Sequence, residues 1–409
     1  MEIVEELCSF ERRLAGTDAE RRAANRLAEQ LRKLGRRVEV EPTYAHPQIG
    51  LIYALHAAIA FAGSLVAVEI PALGFGLLLV AATSLYFDMN SRAYLLRRVF
   101  FRRASQNVVS PGNRRNAPAR LVLTAHYDAA RSGIVYGGFA ARALTLARRI
   151  LGVPVSPSRI LFWSIAVLVP IVGLRMAEVD SGLVSVLQLL PTLAILIALF
   201  AAVDVALSKV SPGANDNASG VAAVLSLADE LRREPAKNLD IWVVLTGGGE
   251  SNLQGMHSFL RSHKDELSRE RTYVLNIDSV GAGDVRFVTA EGPAVTYELT
   301  SRLTELAAAV AEADTEGRYR ASGLRHGFAT DALAARLRRI PATTITCLER
   351  GAVVPPRRHS LADVPAELDA RALTAAHDFT LDLIRLLDRA LARRASSEKR
   401  GERTAAAAR

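Results

Sequence analysis

The sequence predicts an α/β fold, a mixed central sheet flanked by helices, into which two transmembrane helical hairpins are inserted. Three patterns carry that expectation. Short apolar runs of strand length alternate with helical stretches through most of the 409 residues, the alternation that builds a layered sheet with helices on both faces. Two stretches, 51–87 and 160–207, are instead almost continuously apolar. Finally, His, Asp and Glu recur where the apolar runs end.

Residues 1–50 open the α/β domain. Residues 11–41 read as an amphipathic helix ending near Leu34-Gly35, followed by a strand in RRVEVE whose valines alternate with charges. The first hairpin, 51–87, is broken only at Glu69-Ile70-Pro71, which leaves two segments each about long enough to cross a bilayer. The second pairs Ile160–Leu174 with Leu183–Leu207 across a polar turn containing Arg175, Glu178 and Ser181. Few soluble cores contain helices apolar on every face, so these paired runs read as spans. With Gln188 and Asp204 as the conspicuous polar groups, they do not read as a transport pathway. Residues 88–159 and 208–392 return to the α/β pattern. Strands are expected at Gln106–Val109, Leu121–Ala125, Leu239–Leu245, Tyr273–Ile277, Val285–Val288 and Ala342–Thr346, and helices at Gly220–Arg233 and Leu299–Ala313. The last stretch, 393–409, reads as a solvated, disordered basic tail.

The formal net charge of +9 would draw a polyanion, but its distribution points elsewhere. Arginines crowd the ends of apolar segments: Arg92, Arg97, Arg98, Arg102 and Arg103, then Arg142, Arg148, Arg149 and Arg159. Membrane lipid is therefore the expected partner, and nucleic acid is not. By the positive-inside tendency the basic stretches 88–120 and 131–159 face the cytoplasm. The α/β domain and both termini then lie on the cytoplasmic side of the inner cell membrane. Residues 1–20 lack the basic start and apolar run of a signal peptide. The two cysteines, Cys8 and Cys347, form no C-x-x-C pattern, in keeping with a reducing compartment. Oligomeric state is left open.

Five positions carry the chemistry. An apolar strand ends at His126 in AHYD, where Asp128 is placed to hold the second nitrogen of a metal-binding imidazole. Asp216, in GANDNASG, stands at the mouth of a helix whose cap is Asn217 or Ser219. The strand Ile241–Leu245 runs through a glycine-rich turn to Glu250, and the strand Tyr273–Ile277 delivers Asp278. His359 lies in a loop before the last helix. Two imidazoles and three carboxylates at strand ends or adjoining loops of one sheet suit a borderline-soft divalent ion such as zinc.

The runs RRLAGTDAERRAANRLAEQLRKLGRRVEVE, QNVVSPGN, AHYD, GANDNASGVAAVL, GGGESNLQG, NIDSVG, TDALAARLRRIPA and RHSLADVPAEL resemble successive motifs of the dizinc aminopeptidases of clan MH, relatives of bacterial leucyl aminopeptidases. The resemblance covers nearly all of the sequence outside the hairpins, which sit as insertions. It implies a peptidase acting on peptide N-termini with two zinc ions, cobalt or manganese being alternatives. His126, Asp216 and Asp278 would hold one ion. Asp216 would bridge to a second, also held by Glu250 and His359, and Asp128 would orient His126. A cis peptide is expected at Asp216-Asn217. His257 and His326 are expected near the substrate, while His46, His263 and His377 are expected at the surface.

One position departs from the family. Its members carry paired glutamates at the glycine-rich turn, the first as general base, and here that place is Gly249. Asp240 lies across a whole strand and Ser251 is a poor base. General-base assistance is worth about 10²–10⁴-fold, so the expected enzyme is slow. The competing expectation is a metal-binding pseudopeptidase with a binding or regulatory role at the membrane. If only the base is missing, Gly249→Glu should raise turnover.

Overall fold

The computed structural model describes residues 1–407 apart from 115 and 180, with side chains described as far as Arg393. Strands β1 (Glu39–Ala45), β2 (Arg103–Ser110), β3 (Ala119–His126), β4 (Leu239–Thr246), β5 (Thr272–Ile277), β6 (Asp284–Glu291), β7 (Tyr297–Glu298), β8 (Ser322–Arg325) and β9 (Ala342–Leu348) form one nine-stranded sheet. Their order is β1-β2-β4-β3-β5-β9-β6-β7, with β8 on β6. The centre, β4-β3-β5-β9, is parallel. β2 and β6 flank it antiparallel, so the sheet is mixed. β3 and β5 are buried along nearly their whole length, as befits strands covered on both faces.

The helices are α1 (Glu2–Ser9), α2 (Asp18–Lys33), α3 (Ile49–Val66), α4 (Pro71–Met89), α5 (Gly138–Leu151), α6 (Pro157–Met176), α7 (Gly182–Leu207), α8 (Gly220–Arg233), α9 (Gln254–Ser262), α10 (Arg302–Ala313), α11 (Asp331–Leu337) and α12 (Ala370–Ala407). On one face of the sheet Leu27 of α2, Val224 of α8 and Phe379 of α12 pack on Leu121 and Leu275. On the other, Phe259 of α9 and Leu333 of α11 pack on Trp242 and Val274.

Three local expectations are corrected. The amphipathic stretch from residue 11 is not one helix with α2 as its body. The chain turns at Arg12 and Gly16, both at positive φ, and α2 starts anew where Thr17 accepts the Glu20 N–H. The turn sends Arg13 into the interior, where its guanidinium donates to the carbonyls of Leu7, Tyr127 and Gly213. At the other end, α12 carries helical backbone through the expected tail to Ala407, consistent with its Ala-, Glu-, Lys- and Arg-rich composition; side chains beyond 393 and residues 408–409 lie outside the described residues. His46 is buried rather than superficial, its N–H donating to Gln254, and half-buried His263 sits between Glu41 and Glu266.

The four helices α3, α4, α6 and α7 are long and apolar enough to cross a membrane. They pack together. A Cβ at Gly74 would lie 2.5 Å from the Gly63 carbonyl oxygen, so glycine is what lets α3 and α4 meet this closely. Gln188 turns inward, accepting from Arg175 at 2.7 Å and donating to the Ser64 carbonyl at 2.6 Å. Their outward faces carry Leu190, Ile197 and Phe200, each exposed.

The first pair is bolted to the α/β domain. At the end of α4, Asp88 is fully buried and accepts two bonds from equally buried Arg97, at 2.6 and 2.7 Å. The same carboxylate accepts from Asn252 at 2.9 Å, two residues beyond Glu250. Removing one partner of a buried pair leaves an uncompensated charge, at about 3–5 kcal/mol. Asp88→Ala should therefore lower the thermal midpoint in detergent micelles, and Asp88→Ala/Arg97→Met should recover much of the loss. A double variant no better than the single one would contradict this account of the junction.

Candidate metal centre

Three parallel neighbours reach their carboxyl ends together, where α/β sheets open their clefts. β3 ends on His126, β4 runs into the Gly247–Glu250 turn, and β5 is followed by Asp278. Asp216 arrives from the segment before α8. There Asn217 holds the approach, donating to the Ile277 carbonyl at 3.0 Å and accepting from Gly220 and Ser279 N–H groups. The peptide Asp216-Asn217 is cis. Asp363 fixes the same segment by accepting the N–H groups of Asn215 and Asp216, at 2.7 and 3.1 Å.

The five candidate ligands converge. Asp216 turns its two oxygens to different sides. Its Oδ1 lies 3.3 Å from His126 Nε2, which is also 3.7 Å from Asp278 Oδ2. Its Oδ2 lies 3.2 Å from His359 Nε2, itself 3.2 Å from Glu250 Oε1. The donor atoms of His126, Asp216 and Glu250 all fall within 4.8 Å of one another. Donors about 2.1 Å from a tetrahedral zinc stand roughly 3.4 Å apart, so these spacings fit donors around a shared cation. Three buried or half-buried carboxylates at one point also call for positive charge. Burial would raise Asp216, but its bonds to His126 and His359 and the charge of Arg358 hold it well below the usual carboxylate range.

Asp128 joins the strand ends. Its carboxylate is fully buried, lies 3.5 Å from His126 Nδ1, and accepts the N–H groups of Gly249 at 2.8 Å and Glu250 at 3.1 Å. It therefore orients one candidate ligand by its ring and another by its backbone.

Side chains that the sequence reading passed over complete the site. Arg358 Nε reaches Asp216 Oδ2 at 3.1 Å while its guanidinium stacks over Phe328 at 4.4 Å. The signal was its place beside His359, but a basic dipeptide in a loop has many meanings. Tyr136 sets its ring edge on His359, centroids 4.5 Å apart. Beside Asp278 a cleft of about 430 Å³, open to solvent, is lined by His326, Phe328, Thr330, Thr346 and Arg358 among others. His326 lines this cleft, with burial pushing it down to about 3 and Arg358 adding to the effect. His257 does not line it. It is buried on α9, lowered to about 4 by burial and then by Arg338 and Arg261.

Gly249 has a structural reason. The left-handed residue of the turn is Gly248, at φ 63°. A Cβ at 249 would stand 2.5 Å from His126 Cβ and 2.7 Å from its Cγ. The turn thus lies against the His126 ring, in the space a side chain would need. The nearest other carboxylate behind the turn, Glu20, is fully buried and occupied by the N–H groups of Gly16 and Gly248 and the Ser105 hydroxyl. Burial and the Asp128 charge push it up to about 8. Asp240 faces Arg120 and Trp242 at the far end of β4.

The fold, a mixed sheet flanked by helices, is that of the zinc exopeptidases. Residues 196–384 match the model of peptidase family M28, a span holding Asp216, Glu250, Asp278 and His359. Among solved structures it is similar to a leucine aminopeptidase precursor from Bacteroides thetaiotaomicron, at 16% identity over 94% of each chain with a TM-score of 0.52. It is similar to a zinc aminopeptidase from Bacillus subtilis, at 15% identity over 94% of this chain and 93% of that one, TM-score 0.53. A glutaminyl cyclase from Bacteroides thetaiotaomicron aligns at 15% over 94% and 95%, TM-score 0.55. No curated protein matches the chain.

The contact of the turn with His126 bears on the expectation that Gly249→Glu would rescue turnover, because a side chain at 249 would require His126 or the turn to shift. Substitution should push a candidate ligand out of place. Gly249→Ala is expected to weaken zinc binding about 10–100-fold, as disturbing a ligand's support commonly does, read by competition with a colorimetric chelator. Unchanged affinity would show that the turn yields freely.

Proposed function

We propose that this chain is a membrane-anchored, zinc-dependent peptidase-type hydrolase acting on peptide N-termini. The observation that carries the reading is the division of Asp216 between two donor groups, Oδ1 toward His126 and Asp278, Oδ2 toward His359 and Glu250. That arrangement suits two zinc ions, with cobalt or manganese as substitutes. Bound zinc would polarise the scissile carbonyl and make water acidic enough to attack. The chain's own residues do the rest. Asp128 keeps His126 in orientation, and Asp216, Glu250 and Asp278 supply compensating charge. The cleft beside Asp278 receives the substrate, with Arg358 and His326 at its wall.

Because position 249 offers no base, the enzyme should be slower by about 10²–10⁴-fold than one with a carboxylate there. Detergent-purified protein loaded with zinc or cobalt should cleave aminoacyl anilides or short peptides slowly, and lose that activity with chelator and in Glu250→Ala. A specific observation favours a second reading: Arg358 already contacts the Asp216 oxygen on the His359 side. A protein that binds zinc stoichiometrically yet cleaves nothing in a broad peptide library would be a pseudopeptidase with a binding or regulatory role.

The anchor is α3, α4, α6 and α7, with the hydrolase domain and both termini on the cytoplasmic side of the inner membrane. The basic segments beside the spans support that orientation. Ser110, buried in β2, is unsuited to labelling, whereas Asn113 and Ser181 are exposed. A membrane-impermeant thiol reagent on intact cells should label Ser181→Cys and leave Asn113→Cys unlabelled until permeabilisation. The reverse pattern would invert the topology.

A further inference from the structure

We infer that α5 is an interfacial helix whose apolar face lies in the headgroup region of an anionic lipid bilayer. This rests on reading α3, α4, α6 and α7 as spans. No residue of α5 is buried against the rest of the chain. Phe139, Leu146 and Ile150 follow at steps of seven and four, which sets them on one helical face, and they are 88%, 56% and 73% exposed. Leu151 and, just before the helix, Ile134 are exposed as well. Arg142 and Arg149, both exposed, flank that face along one edge. An apolar stripe edged with arginine is what a helix lying in a headgroup plane presents, and large exposed apolar patches are uncommon on soluble surfaces.

Both ends of α5 are tied to the membrane boundary. Before it, Ile134 N–H donates to Asp204 near the end of α7 at 2.7 Å, and Ser132 N–H donates to the Lys209 carbonyl at 2.8 Å. After it, five residues, Gly152–Ser156, lead into α6, a link that spans at most roughly 18 Å. The helix is thus held between the point where α7 ends and the point where α6 begins. Charge selects the occupant, since arginines on the flank meet phosphates at that depth. The seat also adjoins the metal centre, because Tyr136, two residues before α5, carries the ring that touches His359.

Full-length protein in nanodiscs of three parts phosphatidylcholine to one part phosphatidylglycerol, with brominated acyl chains, tests this. The wild type has two tryptophans: Trp163 on α6, 49% exposed, and Trp242, buried in the soluble core. Quenching of Trp163 in the wild type reports the spans. Phe139→Trp in a Trp163→Phe background reports α5. The expected result is blue-shifted emission quenched more by bromines near the headgroup than by deep ones, and weakened in Arg142→Glu/Arg149→Glu. Water-like, unquenched emission from position 139 while wild-type Trp163 is quenched would overturn the proposal and leave the spans standing. Blue-shifted emission without quenching would mark a protein partner and overturn it too. Absence of quenching from Trp163 itself would remove the spans and the proposal together.

Discussion

The site depends most on the carboxylate of Asp128. A charge with no solvent exposure is tolerated only where donors compensate it, and here these are two consecutive N–H groups of the glycine-rich turn and the His126 ring. The bonds draw the end of β4 against the end of β3, which places Glu250 near the cluster. They also bring the backbone of Gly249 onto His126 so closely that a side chain there would require one of them to shift. The glycine at position 249 and the positioning of two candidate ligands are therefore one structural feature. A chain that tightened this contact would lose room for a glutamate, and one that restored the glutamate would have to loosen it.

His126, Glu250 and Asp278 were legible because each stands where or just after an apolar strand stops, and a parallel sheet collects the carboxyl ends of its central strands in one place; Asp216 and His359 reach them from a helix entry and a loop. The strand core was legible for a related reason: Leu121–Ala125, Leu239–Leu245 and Tyr273–Ile277 are mostly apolar, interrupted only by Thr124, Asp240 and Asn276, as expected of strands buried on both faces. What stayed hidden were contacts set by tertiary pairing. Arg13 reads as one charge among several on a helix, yet its partners lie 114 and 200 residues away. The break that frees it, at Arg12 and Gly16, interrupts a stretch whose periodicity alone would continue. Arg358 and Tyr136 were equally silent, because a loop arginine and a tyrosine after a short apolar run acquire a role only from what the fold sets against them. His257 shows the converse: near the turn in sequence, it is buried on α9 and does not line the cleft.

The two helical pairs enter the chain beside the chemistry. The first ends at Asp88, which shares its carboxylate between Arg97 and Asn252, so the loop leaving Glu250 is held by the foot of α4. The second ends at α7, whose Asp204 fixes the approach to Tyr136 and whose last turn leads within nine residues to Asp216. Buried ionic contacts of this kind are costly to rearrange. Any tilt of α4 or α7 is thus transmitted to the loops carrying Glu250 and Asp216 by short, directional bonds rather than by a flexible tether. Excising the apolar helices would leave Arg97 and Asn252 without the partner that orders them. The apolar helices and the candidate metal centre are in that physical sense one unit, and the α/β fold alone would not reproduce the geometry of the site.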